Sequence, residues 1–130
     1  MAEKTVMVDT SILIDFYRKT DKSNSIWIKL VREGYAFTIS AITKYEIYSG
    51  ANANQAAFWD NVFRQIEIIS LDEDCIDAAV QINIELKKKS KQIALADLLI
   101  AASAVANEMP LATLNRKHFE RIDSLKLIAL

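Results

Sequence analysis

The chain has 130 residues, 52% of them hydrophobic, which is enough for one core and too few for two, so residues 1–130 read as a single domain. A formal charge of −1 excludes a protein that grips nucleic acid through bulk basicity, though it neither proposes nor excludes an RNA substrate. Two glycines and one proline leave little linker, and the apolar run before Asp9 is too short for a signal peptide. No uncharged stretch is long enough to span a bilayer, and the single Cys75 lacks a disulfide or zinc partner, so a reducing cytoplasm is expected.

Lys4 to Val8 is a β-rich run that stops at Asp9-Thr10-Ser11, three good helix caps, and Ile12, Leu13 and Phe16 continue at helical spacing. Ser23 or Asn24 can start a second helix through Ile26, Trp27, Leu30 and Val31, ending at Gly34. Tyr35 to Ile39 mixes aromatic and β-branched residues as a strand does, and Ser40 can cap a helix carrying Ile42, Tyr45, Glu46 and Ile47 up to Gly50. Phe58, Trp59, Val62 and Phe63 place a fourth helix between about Asn54 and Gln65, followed by a short strand over Glu67 to Ser70.

Asp72 or Glu73 opens a long helix with Ile76, Ala79, Val80 and Ile84, and Lys87, Lys88, Lys89 and Lys91 give it a positive end that suits the helix dipole. Ile93 to Asn107 is helical and apolar on nearly all sides, which implies burial. Pro110 breaks it before a strand over Leu111 to Leu114; Asn115 begins a turn or short helix through His118 and Phe119, and Lys126 to Ala129 can add a last strand. Strands alternating with helices imply an α/β sandwich around a mainly parallel sheet, whose sites collect at the carboxyl ends of the strands.

Asp9 follows the first strand directly and so stands at that edge, although taken alone it is equally a helix N-cap. Glu46 by itself reads as a solvated helix residue. Asp97 is more telling, because its neighbours from Ile93 to Ala102 nearly all favour burial, and a buried carboxylate must be paired, protonated or bound to a cation; a first-turn Asp favoured by the helix dipole is the competing account. Asn115 falls at another strand end, as a site residue or as a turn residue. Should Asp9, Glu46, Asp97 and Asn115 converge, they form an oxygen-only set suited to Mg²⁺ or Mn²⁺ rather than zinc, the layout for metal-assisted phosphodiester hydrolysis.

Four blocks in order, VMVDTSILIDF, TKYEIYSG, ALADLLIAASA and LATLNRKHFERI, resemble the four motifs of PIN domains at the spacing of the short VapC-like members, toxins of type II toxin–antitoxin pairs. The resemblance spans nearly the whole chain. It implies a three-layer fold, a central mainly parallel sheet flanked by helices, and a Mg²⁺- or Mn²⁺-dependent endoribonuclease acting on RNA such as tRNA or rRNA. Asp9 and Asp97 match its principal metal ligands, Glu46 the acid that completes the pocket, and Asn115 the fourth position; Thr10 and Thr113 flank the site as hydrogen-bonding supports.

His118 departs from the pattern, standing where many relatives carry an acid, which points to a one-metal resting site; by itself His118 is a surface helix residue or a contact to RNA phosphate. Asp15 reads as structural. The resemblance further implies a cognate antitoxin whose C-terminal segment obstructs the acidic pocket with an Arg or Lys. It also implies a homodimer built on helices bearing Trp27, Tyr45, Tyr48 or Trp59, each of which is otherwise a core residue. Two rival readings are a PIN fold that binds RNA or protein without cutting, and a receiver or phosphatase domain; the latter needs paired N-terminal acids or a DxD motif, which Asp9-Thr10-Ser11 does not supply.

Overall fold

The computed structural model describes residues 4–130. Four strands, β1 (Lys4–Val8), β2 (Tyr35–Ser40), β3 (Glu67–Ile69) and β4 (Leu111–Ala112), pair in the order β3-β2-β1-β4, every pair parallel. Parallel pairing requires a crossover between neighbours, and the helices supply it: α1 (Thr10–Arg18), α2 (Ile26–Arg32), α3 (Ala41–Ser49), α4 (Ala53–Phe63), α5 (Glu73–Lys88), α6 (Leu95–Ala106) and α7 (Arg116–Phe119).

Strand alternation sorts the side chains into two cores. Val6 and Val8 point to one face, where Ile12, Leu13, Leu30, Ile47, Trp59 and Phe63 pack over them; Met7 points to the other, against Ala79, Leu86, Ile100, Ala101 and Phe119. Leu111 and Ala112 divide between the faces in the same way. The result is the three-layer sandwich expected from the alternating elements. No helix among the described residues is long and apolar enough to cross a membrane.

Local chemistry starts and stops the helices. Ser40 Oγ accepts from the Ile42 amide at 3.1 Å, Asp72 accepts from the Cys75 amide at 3.1 Å, and Asn52 with Gln55 forms a reciprocal capping box. Gly34 closes α2 at φ 91°, a left-handed conformation that a side chain would strain.

Three expectations need correction. Ser25, rather than Ser23 or Asn24, caps α2, because Asp21 engages Ser23 to make a separate 3₁₀ turn over Lys22–Asn24. β4 ends at Ala112, two residues early: the amides of Leu114 and Asn115 turn to the hydroxyls of Ser11 and Thr113 instead of a ladder. The segment from Lys126 contributes one bridge, Leu111 to Leu127, rather than a strand. On α5 the inward stripe is Cys75, Ala79, Ile82 and Leu86, which leaves Ile76, Val80 and Ile84 exposed.

Replacing Asn52 with Ala removes the capping box acceptor and should lower the free energy of unfolding by about 1 kcal/mol in urea titrations, with little change in the slope.

Candidate active site

β1 and β4 are neighbours in the sheet, but the connections that leave them run to opposite sides, so a crevice opens between their carboxyl ends. A cleft of about 690 Å³ lies there, and Asp9, Thr10, Glu46, Asp97 and Asn115 all line it. Thr113 sits beneath, fully buried, bonded to Asp9. The six residues singled out in the sequence are therefore brought together.

Asp9 is 3% exposed and does two jobs at once. It caps α1 through the Ser11 amide, 3.1 Å from Oδ1, and the Ser11 hydroxyl donates to the same oxygen. Thr113 Oγ1 donates to Oδ2 at 2.6 Å. Burial nevertheless dominates and raises the carboxyl pKa; the bonds from Ser11 and Thr113 oppose it without cancelling it.

Asp21 provides an internal comparison, for it holds Ser23 through the same amide and hydroxyl bonds yet stands exposed, and its pKa is lowered. The difference between the two is solvation. A carboxylate kept from water at a cleft wall is a group that a cation would stabilise.

Glu46 projects from α3 and accepts from Thr10 Oγ1 at 2.7 Å, tying the second acid to the residue after Asp9. Asp97 lies in the first turn of α6, where the helix dipole favours its charge. The expected burial of this helix does not extend to that turn: the Asp97 side chain is 23% exposed and Leu95 is 69% exposed, whereas Leu98 and Ile100 onward are packed. Asn115 precedes α7 and makes no side-chain cap to it.

Two features escaped the sequence reading. Ser11 is the second hydroxyl on Asp9, and its Oγ also accepts the Leu114 amide at 2.9 Å, a contact across 103 residues that only the fold reveals. Arg18 and Lys19 stand at the cleft wall, one helical face along from Asp9 and Asp15. Asp15 also reaches the cleft, but its Oδ2 accepts the Ile26 amide at 2.9 Å and Lys19 lies 3.7 Å from Oδ1, which fits the structural role expected of it.

The donor set is oxygen, two carboxylates with Glu46 and Asn115 at hand, and no three acidic, His or Cys side chains among the described residues close on one point. That arrangement fits an octahedral ion that keeps much of its water, and does not fit a fully protein-ligated zinc or calcium.

Replacing Thr113 with Val removes the donor to Asp9 and the acceptor for the Asn115 amide while keeping the shape. Thermal and urea unfolding should register a loss of about 1–3 kcal/mol, largely regained by Thr113→Ser.

A family model for the PIN domain matches residues 6–125. The chain is 35% identical to Ribonuclease VapC1 of Methanocaldococcus jannaschii, with 96% of this chain and 86% of that protein covered. It is 31% identical to Ribonuclease VapC2 of Rickettsia felis, covering 93% and 94%. Among solved structures, VapBC2 from Rickettsia felis bound to a promoter DNA fragment superposes with a TM-score of 0.84 at 28% identity, covering 95% of this chain and 97% of that one. VapBC from Salmonella typhimurium, at 23% identity and a TM-score of 0.84, shares the fold. With a family model spanning most of its length and relatives above 30% identity over nearly all of it, the chain belongs to the PIN domain family.

Proposed function

We propose that the chain is a Mg²⁺- or Mn²⁺-dependent endoribonuclease, the toxin half of a toxin–antitoxin pair. The observation that carries this is the convergence of Asp9, Glu46, Asp97 and Asn115 on one cleft at the crevice between β1 and β4. Asp9 and Asp97 are the metal ligands, and Glu46, fixed by Thr10, is placed to hold a metal-bound water or orient the attacking one. A bound divalent ion would lower the pKa of water and neutralise charge on the scissile phosphate. Arg18 and Lys19 at the cleft wall offer cations to the flanking RNA backbone.

The cleft's acids also fit an antitoxin that inserts an Arg or Lys, since a guanidinium would pair with the same carboxylates that hold the metal. A non-cutting binding module is the weaker reading, because all three acids are retained and only the fourth position, Asn115, is neutral.

A second copy of the chain is the remaining partner, and the side chains expected to mediate it need revision. Trp59 is 3% exposed, while Trp27 and Tyr48 pack against the core; Tyr45 alone of the four is open, at 71%. The exposed line on α5 is a better surface. At 3.6 residues per turn, Glu73, Ile76, Val80, Ile84 and Lys87 lie within about 40° of one line.

Around Val80 that line is self-complementary. Ile76 and Ile84 stand four residues to either side and Glu73 and Lys87 seven, so two antiparallel α5 helices would set each Glu73 opposite Lys87 of the other copy. In sedimentation, Val80→Asp should convert dimer to monomer. Glu73→Lys should weaken the dimer, and adding Lys87→Glu should restore it; a wild-type monomer, or no rescue, removes α5 as the interface.

The nuclease reading is tested with antitoxin-free protein, total bacterial RNA and either metal. Discrete products are expected that disappear with EDTA and fall by about 100-fold or more in Asp97→Asn and Asp9→Asn. Intact RNA in every lane would favour the binding module.

A further inference from the structure

The carboxylates of the cleft repel a polyanion, so RNA has to be gripped beside the cleft, by cations on its phosphates and by surfaces for its bases. Arg18 and Lys19 offer the cations at one wall. A second depression, of about 340 Å³, adjoins the cleft and shares Leu114 and Asn115 with it; Arg116, Lys117 and His118 complete its lining. Among the described residues that lining holds two cations and no carboxylate.

Its groups are held from behind. The Leu114 amide donates to Ser11 Oγ at 2.9 Å, which fixes the backbone while the side chain stays 47% exposed. Phe119, fully buried, anchors α7 to the core, and His118 Nδ1 lies 3.3 Å from Asp97 Oδ2, so one edge of a half-exposed ring is fixed. Arg116 is engaged by the Ile128 carbonyl at 2.9 Å and by Glu120 at 3.5 Å. Lys117 is exposed and makes no ion pair among the described residues. A lone exposed leucine is ordinary on any surface. Set in one concavity with an open imidazole and an unpaired ammonium, it makes the mixture that takes a nucleotide: apolar and aromatic for the base, cationic for the phosphate.

We propose that this depression seats one unpaired nucleotide of the RNA next to the scissile phosphate, with the base against Leu114 and the His118 ring and a phosphate on Lys117. The inference rests on the nuclease reading above and specifies how that substrate is held. Because the two hollows share Leu114 and Asn115, a nucleotide seated in one leads its chain directly into the other. A duplex keeps its bases stacked inside, so the site selects a single strand or a loop. Stacking needs the flat ring of His118 and not its nitrogens, which separates this role from the contact to Asp97.

The test uses the full-length chain in EDTA, where metal-dependent cutting cannot consume the probe, and a short fluorescein-labelled oligouridylate carrying thiouridine. Photocrosslinks mapped by mass spectrometry should fall between Leu114 and His118. In anisotropy titrations His118→Ala should weaken binding about fivefold or more, and His118→Phe should restore it. Both variants lose the contact to Asp97, so a merely structural role would weaken them alike. Lys117→Ala should lower the slope of log affinity against log salt by about 0.7, one phosphate of a single strand. Crosslinks absent or confined elsewhere, a His118→Phe protein that circular dichroism shows folded yet binds no better than His118→Ala, or displacement by polyglutamate as effective as by unlabelled oligouridylate overturns the nucleotide site; the last assigns the depression to an acidic peptide. Digestion of RNA by the same preparation with metal separates the two readings. Cleavage without a crosslink in the depression removes the nucleotide site alone, and a crosslink there without cleavage keeps the site and removes the nuclease.

Discussion

The bond from Thr113 Oγ1 to Asp9 Oδ2 holds together two strand ends that are 104 residues apart in the chain, and the site depends on it. Asp9 ends β1 and Thr113 follows β4, so the bond closes the base of the crevice that the sheet order opens. Thr113 also accepts the Asn115 amide, and Ser11 donates to Asp9 while accepting the Leu114 amide. Each hydroxyl therefore donates to the carboxylate and accepts from the β4 side. Two hydroxyls convert a buried charge that would repel folding into the element that fixes the geometry of both strand ends.

This latch explains why β4 is so short. A longer strand would need the amides of Leu114 and Asn115 for a ladder, and the latch has already taken them. Chain that leaves the sheet early is then free to turn into α7, a single helical turn that follows Asn115 and carries His118. The cost of burying Asp9 persists as a raised pKa, and the exposed Asp21 with matching bonds shows that the cost comes from lost solvent and not from poor bonding. A site that keeps an incompletely compensated carboxylate at its wall retains an attraction for cations.

The sequence disclosed those parts of the fold that depend on nearby residues. β1, β2 and the capped start of α3 follow from side-chain alternation and from Ser40, and they lie where expected. The errors arise where a distant partner decides. The end of β4 is set by Ser11, and the reduction of the Lys126 segment to a bridge is set by how little strand remains beside it. On α5 two apolar stripes run along one helix, and periodicity cannot say which faces inward; contact with α6 chooses Cys75, Ala79, Ile82 and Leu86.

Asp9, Glu46, Asp97 and Asn115 were legible for different reasons. Asp9 and Asn115 were marked by adjacency to strands, a relation that a parallel sheet converts directly into a shared edge. Asp97 was marked by its apolar neighbours, and that reasoning reached a residue that lines the cleft on a partly mistaken ground, because the first turn of α6 is open and Leu95 faces solvent. What selects Asp97 physically is its place at the helix N-terminus facing the crevice, where the dipole supports a negative charge without requiring burial. The two principal acids are thus held by opposite means, Asp9 by a dry network of hydroxyls and Asp97 by a wet helix end. One rigid wall and one accessible wall would suit the proposed function, in which the cleft fixes an ion on one side and exchanges water and substrate on the other.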